Sequence, residues 1–148
     1  MHFITGGHFN GKAQWVKEQQ KYENAYWITF YNRNSKMAEP EKLQESCIVI
    51  NGVEAGLYQH LNEHPSHTGQ TFMDTIISYY LIWEKAEKNR SLIIIGTDIT
   101  KGIVPAEPMQ RRWRDETGWL YQSLLKKAED ADLIWFGINQ PLKRRKLI

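Results

Sequence analysis

The chain predicts an α/β fold, a mostly parallel sheet with flanking helices, on three observations. Five apolar segments recur along it with helical patterns between them. Three of these segments are short, continuous apolar runs, the mark of strands buried on both faces. A glycine-rich loop closing on a lysine separates the first apolar segment from the first helical one.

The first strand is expected at residues 2–5. It runs into Gly6, Gly7, His8, Phe9, Asn10, Gly11, Lys12 and Ala13. Two glycines five apart with a lysine at once after the second are spaced as in a phosphate-binding P-loop, Gly-x-x-x-x-Gly-Lys-[Ser/Thr]. Backbone N–H groups of such a loop cradle phosphate oxygens, and the Lys12 ammonium neutralises the terminal phosphates. The last position is Ala13, which lacks the hydroxyl that would hold magnesium. The expected ligand is a nucleoside triphosphate, GTP or ATP, with magnesium.

The loop leads into helix 12–20. Strands follow at 25–31, 47–51, 92–96 and 133–137, with helices at 52–60, 71–89 and 108–130. The P-loop, Asn51 and Asp98 would then share the carboxyl edge of the sheet, where ligands of such folds sit. Asp98 is the candidate magnesium-holding or hydroxyl-orienting carboxylate. Arg111 and Arg114, about one turn apart on the last helix, are the candidates to face phosphate and offset its charge. The stretch 59–70 holds His60, His64 and His67, but Pro65 interrupts any helix and the surroundings are polar. It reads as a solvated loop rather than a metal site.

Composition bounds the rest. The chain has 148 residues, enough for one domain with a sizeable core. Its net charge is +2, too small to argue for a nucleic-acid partner. The basic tail Lys143-Arg144-Arg145-Lys146 is short and expected to be solvated. Cys47 is the single cysteine, so no intrachain disulfide forms. No signal-peptide pattern and no run of membrane-span length is present, so the expected compartment is the cytoplasm.

At Ile4-Thr5-Gly6-Gly7 with Gly11-Lys12, at Gly102-Ile103-Val104-Pro105, and at Arg111, Arg114-Asp115 and Gly118, the chain resembles the adenosylcobinamide kinase / adenosylcobinamide-phosphate guanylyltransferase family of cobalamin biosynthesis. The resemblance starts at Ile4-Thr5-Gly6-Gly7 with Gly11-Lys12 and continues at Tyr26-Trp27-Ile28-Thr29. It is most specific at Gly102-Ile103-Val104-Pro105, Arg111, Arg114-Asp115, Gly118 and Gln122. It ends at Ala131-Asp132 and Gly137, Pro141 and Lys143. It implies a RecA-like P-loop NTPase fold, a homotrimer, and two reactions. These are phosphorylation of the aminopropanol hydroxyl of adenosylcobinamide, then transfer of GMP from GTP to that phosphate.

The chain departs from the family pattern at several places. The family passes GMP through a histidine after the second strand, and residues 32–46 contain none. Asn51-Gly52 replaces an acidic residue before a cysteine, Thr97-Asp98 replaces Asn-Glu, and Tyr121-Gln122 replaces Asn-Gln. Phosphoryl transfer to a corrinoid hydroxyl is therefore expected over guanylyl transfer. The alternative is a non-catalytic relative that binds a nucleotide or a corrinoid.

Overall fold

The computed structural model describes residues 1–32 and 37–146. Six strands form one sheet: β1 (His2–Gly6), β2 (Tyr26–Thr29), β3 (Cys47–Asn51), β4 (Ser91–Thr97), β5 (Asp130–Trp135) and β6 (Ile138–Lys143). Their spatial order is β2-β3-β4-β1-β5-β6. The first four pairings of that order are parallel, and β6 alone runs antiparallel, against β5.

The continuous apolar runs have a simple cause. Phe3, Ile48, Ile50, Leu92, Ile94 and Ala131 enter one core, while Ile4, Val49, Ile93, Ile95 and Ile134 enter another on the opposite face. Alternate residues of a strand point to opposite faces, so a run buried on both sides leaves no position for a polar residue. Each such Ile or Leu contributes about 1.5–3 kcal/mol relative to its exposed state.

The helices are α1 (Lys12–Lys17), α2 (Val53–Glu63), α3 (Gly69–Phe72), α4 (Ser78–Ala86) and α5 (Pro108–Lys127). Val16 of α1 lies in the second core with Tyr22; α2, α3, α4 and α5 supply the first. A π-helical stretch, Met73–Ile77, joins α3 to α4. The 71–89 helix is thus present, beginning two residues earlier and ending at Ala86. Pro108 opens α5 where its missing N–H costs nothing.

Three expectations are corrected. The last apolar run begins at Asp130 and ends at Trp135, because Phe136 and Gly137 adopt positive φ and turn the chain into β6. β6 itself was not expected. It is exposed on both faces because it closes the sheet edge with no helix covering it, and it carries Pro141 in mid-strand. The basic tail is not merely solvated. Arg144 makes a two-point ion pair with the fully buried Asp132 (Nη2 2.7 Å, Nη1 3.0 Å), and Arg145 pairs with Glu129 at 2.6 Å.

Asp132 also accepts from Asn139 at 2.9 Å and from the His2 ring at 2.5 Å. Burial lowers His2 below its usual value of 6.5, outweighing the pull of Asp132. Neutral His2 then donates from Nε2 to Asp132, and Nδ1 accepts from the Tyr22 hydroxyl at 2.7 Å. Burial works to raise Asp132, but hydrogen bonds from Arg144, Asn139 and His2 win and hold it below 3.8.

Candidate functional site

Gly6, Thr29, Asn51 and Thr97 end their strands on one edge of the sheet: Gly6 is level with Thr97, and Thr29 with Asn51. After β1 the chain leaves toward β2, and after β4 it crosses to β5 on the other side of β1. Ligands of open α/β sheets bind in the crevice such a reversal leaves. The 6–12 loop lies there. Phe9 and Gly11 take positive φ, and Gly11 precedes the first residue of α1.

Lys12 is only 8% exposed, and its Nζ donates to the Gly7 carbonyl at 2.7 Å, inside its own loop. Burial lowers its pKa, and the charge of Glu54 acts to raise it. A compartment of about 290 Å3 adjoins it, lined by His8, Phe9, Gly11, Ala13, Tyr31 and Asn51 among others. The Gly137 N–H donates to the Asn10 carbonyl at 2.8 Å, so the β5–β6 hairpin braces this loop.

Glu54 is the residue that sequence reasoning missed. It sits in the first turn of α2 and is 3% exposed. Its Oε2 accepts from the Tyr31 hydroxyl at 2.6 Å, and its Oε1 from the Thr97 N–H at 3.0 Å. The signal available was a carboxylate three residues past the end of the third strand, on the edge already marked by Asn51. Gly52, which precedes α2, and Gly56 within it make room for the neighbouring aromatics. A Cβ on Gly52 or Gly56 would lie 2.8 Å from the ring of Tyr31 or Phe30 respectively.

The other candidates are placed as follows. Asp98 donates its N–H to the Gly6 carbonyl at 2.9 Å. Its Oδ1 accepts from Thr100, N–H at 2.9 Å and Oγ1 at 2.6 Å, and its Oδ2 lies 3.8 Å from Lys101 Nζ. Arg114 donates to the carbonyls of Thr100 and Gly102. Gly6, Asp98, Thr100 and Arg114 are thus one connected chain of contacts. Arg114 Nη1 is buried with no partner among the described residues. Arg111 is exposed and donates to Ala106 at 2.5 Å, farther along the same loop. The two arginines hold the 98–106 loop rather than the lysine loop.

Among the described residues no group of three or more His, Cys, Asp or Glu side chains is arranged to hold a metal ion. The three histidines nevertheless meet: His67 and His60 are hydrogen-bonded at 3.1 Å, and His64 and His67 stack at 4.6 Å. The loop reading of that region is corrected in part, because α2 runs three residues past His60, to Glu63. The histidine-free stretch 32–46 lies partly outside the described residues, at 33–36.

The sequence profile of the cobinamide kinase / cobinamide phosphate guanyltransferase family matches residues 12–142. The chain belongs to that family. The match begins at Lys12 and runs through the Asp98 loop, α5 and the hairpin, so it takes in the whole edge just described except the residues before Lys12. A curated relative, the bifunctional adenosylcobalamin biosynthesis protein CobP of Pseudomonas aeruginosa, is 32% identical over 56 residues. That stretch is 38% of this chain and 32% of the relative, so the match spans about a third of the relative's length. No helix among the described residues is long and apolar enough to cross a membrane.

Proposed function

We propose that this chain is a single P-loop nucleotide-binding domain of the RecA-like kind that acts in cobalamin biosynthesis. It binds GTP or ATP at residues 6–13 and transfers the terminal phosphoryl group to a corrinoid hydroxyl. The observation that carries the reading is Lys12. A buried ammonium, beside a buried carboxylate and a small compartment at the carboxyl edge, is held ready by a loop carbonyl that phosphate oxygens can replace.

In the reaction the corrinoid hydroxyl oxygen bonds to the γ-phosphorus. The bond from that phosphorus to the β–γ bridging oxygen breaks, and its electron pair leaves with the diphosphate. Asp98 orients the hydroxyl and takes its proton. Lys12 and the backbone N–H groups of 6–13 bind the β- and γ-phosphates, and Arg114 and Arg111 offset the transition-state charge once they leave the carbonyls they hold on the 98–106 loop. Where magnesium accompanies the nucleotide, Asp98 would hold it through water, and Ala13 would offer it no hydroxyl. When bound it neutralises phosphate charge. Homotrimeric assembly and a cytoplasmic location complete the proposal.

The second reading is a non-catalytic relative. It is favoured by Ala13, by Asn51, and by the engagement of both Asp98 oxygens with Thr100 and Lys101. One experiment separates the two: incubation with labelled GTP or ATP, magnesium and adenosylcobinamide. Labelled corrinoid phosphate is expected, with no labelled protein, because residues 32–46 lack the histidine. A histidine carrying GMP overturns the preference for phosphoryl transfer. Thermal stabilisation by nucleotide that Lys12→Ala abolishes, without corrinoid phosphate, establishes the non-catalytic reading.

A further inference from the structure

His60 lies in the last turn of α2, His64 caps its end, and His67 follows just before Thr68, the cap of α3. The backbone that carries them is closed on itself. The His64 N–H donates to the His60 carbonyl and the His67 N–H to the His64 carbonyl, each at 2.9 Å. Thr68 then accepts from the Thr71 N–H at 3.3 Å. Two side chains of α5 fasten the same turn: Arg112 donates to the His67 carbonyl, and Glu116 accepts from the Gly69 N–H at 2.5 Å. The His60 ring stands edge to face on Phe72, with centroids 5.5 Å apart. Two imidazoles are thereby aimed at each other, with His67 Nδ1 and His60 Nε2 3.1 Å apart. His64 is exposed; its ring lies nearly flat on that of His67 at 4.6 Å and is 5.2 Å from that of His60.

We propose that His60, His64 and His67 form a site for a divalent transition-metal ion of the zinc class, which clamps the end of α2 to the start of α3. Imidazole is a ligand that suits such ions, and histidines four apart share one face of a helix. The distance fits as well. Two nitrogens bound to a tetrahedral zinc ion lie about 3.3–3.4 Å apart. An ion therefore enters between His60 Nε2 and His67 Nδ1 when the rings part by about 0.3 Å. The proton those two nitrogens share moves through solvent to the outer nitrogen of its own ring, so both imidazoles bind as neutral ligands. As the rings stand they are not a closed set of three ligands. His64 completes the set by turning about its side-chain bonds, which gives up its stacking on His67. Water takes the fourth position, and the exposed side of His64 is the way in. The Glu63 carboxylate acts on His60 as a favourable charge for a cation, and the Arg112 guanidinium at the His67 carbonyl is the opposing one. The site uses no residue of the nucleotide loop, so its test stands apart from the phosphoryl-transfer reading.

The test is competition for zinc between the full chain and a chromophoric indicator, with the melting temperature read in zinc and in EDTA. It is run on wild type, His60→Ala, His64→Ala and His67→Ala, and circular dichroism verifies folding of each protein. Wild type is expected to take up a single zinc ion and to melt several degrees higher in zinc than in EDTA. Each variant is expected to lose at least about tenfold in zinc affinity and most of that rise. His64→Ala is the decisive variant, because its side chain is exposed and the substitution leaves the core untouched. Wild-type affinity in folded His64→Ala overturns the three-histidine site. Wild-type affinity in all three variants places the ion elsewhere, and no uptake by wild type below millimolar zinc leaves the cluster without a metal; either result overturns the proposal.

Discussion

Tyr31 and Glu54 are joined by a 2.6 Å hydrogen bond from an exposed phenol to a buried carboxylate. The pair also draws in Thr97, whose N–H donates to Glu54 and whose hydroxyl lies 3.2 Å from that of Tyr31. The segment after β2 and the end of β4 are thereby tied to α2. Burial and then the carboxylate's charge push the Tyr31 phenol well above its usual value of 10, so it remains a donor throughout the working range.

Glu54→Gln should alter Lys12 more than it alters the fold. The amide oxygen still accepts from the Thr97 N–H, while the new NH2 can only donate, to the Tyr31 hydroxyl oxygen, so the stability loss is about 1–2 kcal/mol. The negative charge that raises Lys12 is gone while the burial that lowers it stays. Lys12 therefore loses its proton at a lower pH in the variant. Nucleotide affinity measured across pH 6–10 is expected to fall away earlier in Glu54→Gln than in wild type. Superimposable profiles would show that the two charges do not communicate.

Gly56→Ala tests the aromatic seat. Alanine is the better helix former by about 1 kcal/mol, but its methyl would meet the Phe30 ring 2.8 Å away. Crowding of this kind costs about 1–3 kcal/mol. A net loss of about 1 kcal/mol is expected from the shift in urea midpoint, and the double variant with Phe30→Leu should recover it.

Arg144→Ala exposes the acid sensitivity of the His2–Asp132 cluster. His2 is held neutral in the fold below its unfolded value of 6.5, so its contribution to stability is lost as pH falls through 6.5 toward the folded value. Asp132 is depressed, so its contribution is present above 3.8 and is lost as pH falls below that. Removing Arg144 leaves burial to raise Asp132, and acid unfolding should begin at a higher pH. At neutral pH the cost is about 2 kcal/mol, below the ~3–5 of a fully buried pair because Arg144 is half exposed. Urea titrations between pH 3 and 8 measure both effects.

Ala13→Ser restores a hydroxyl at the head of α1. Tighter binding of the magnesium–nucleotide complex is expected, by about threefold to tenfold, with little change for nucleotide in EDTA. Asp98→Asn should abolish phosphate transfer and leave nucleotide binding nearly intact. Turnover unchanged in Asp98→Asn would remove the carboxylate from the mechanism.

The parallel sheet was legible because burial on both faces writes itself as unbroken apolar runs. Residues 47–51 matched strand β3 end for end, and 92–96 fell short of β4 by one residue at each side. β6 was illegible for the complementary reason: an edge strand exposed on both faces carries Asn139, Gln140, Pro141 and Lys143 and reads as tail. The Gly-Lys loop and Asp98 could be placed on the carboxyl edge because their spacing and strand-end positions are local signals. Glu54 and Trp113 were not, because their importance comes from contacts 43 and 59 residues away in sequence, Glu54 with Thr97 and Trp113 with Glu54. A glutamate in a helix's first turn ordinarily signals only a favourable dipole contact.

Pro141 and Lys143 on β6 bear on how copies of this chain can meet. The strand is mostly exposed and stands at the rim of the sheet. Proline offers no N–H to an incoming chain, and lysine repels a second copy of the same rim. Lateral growth of the sheet across that border is disfavoured, which guards against fibrous aggregation. Copies of the chain that assemble would meet through surfaces other than this border.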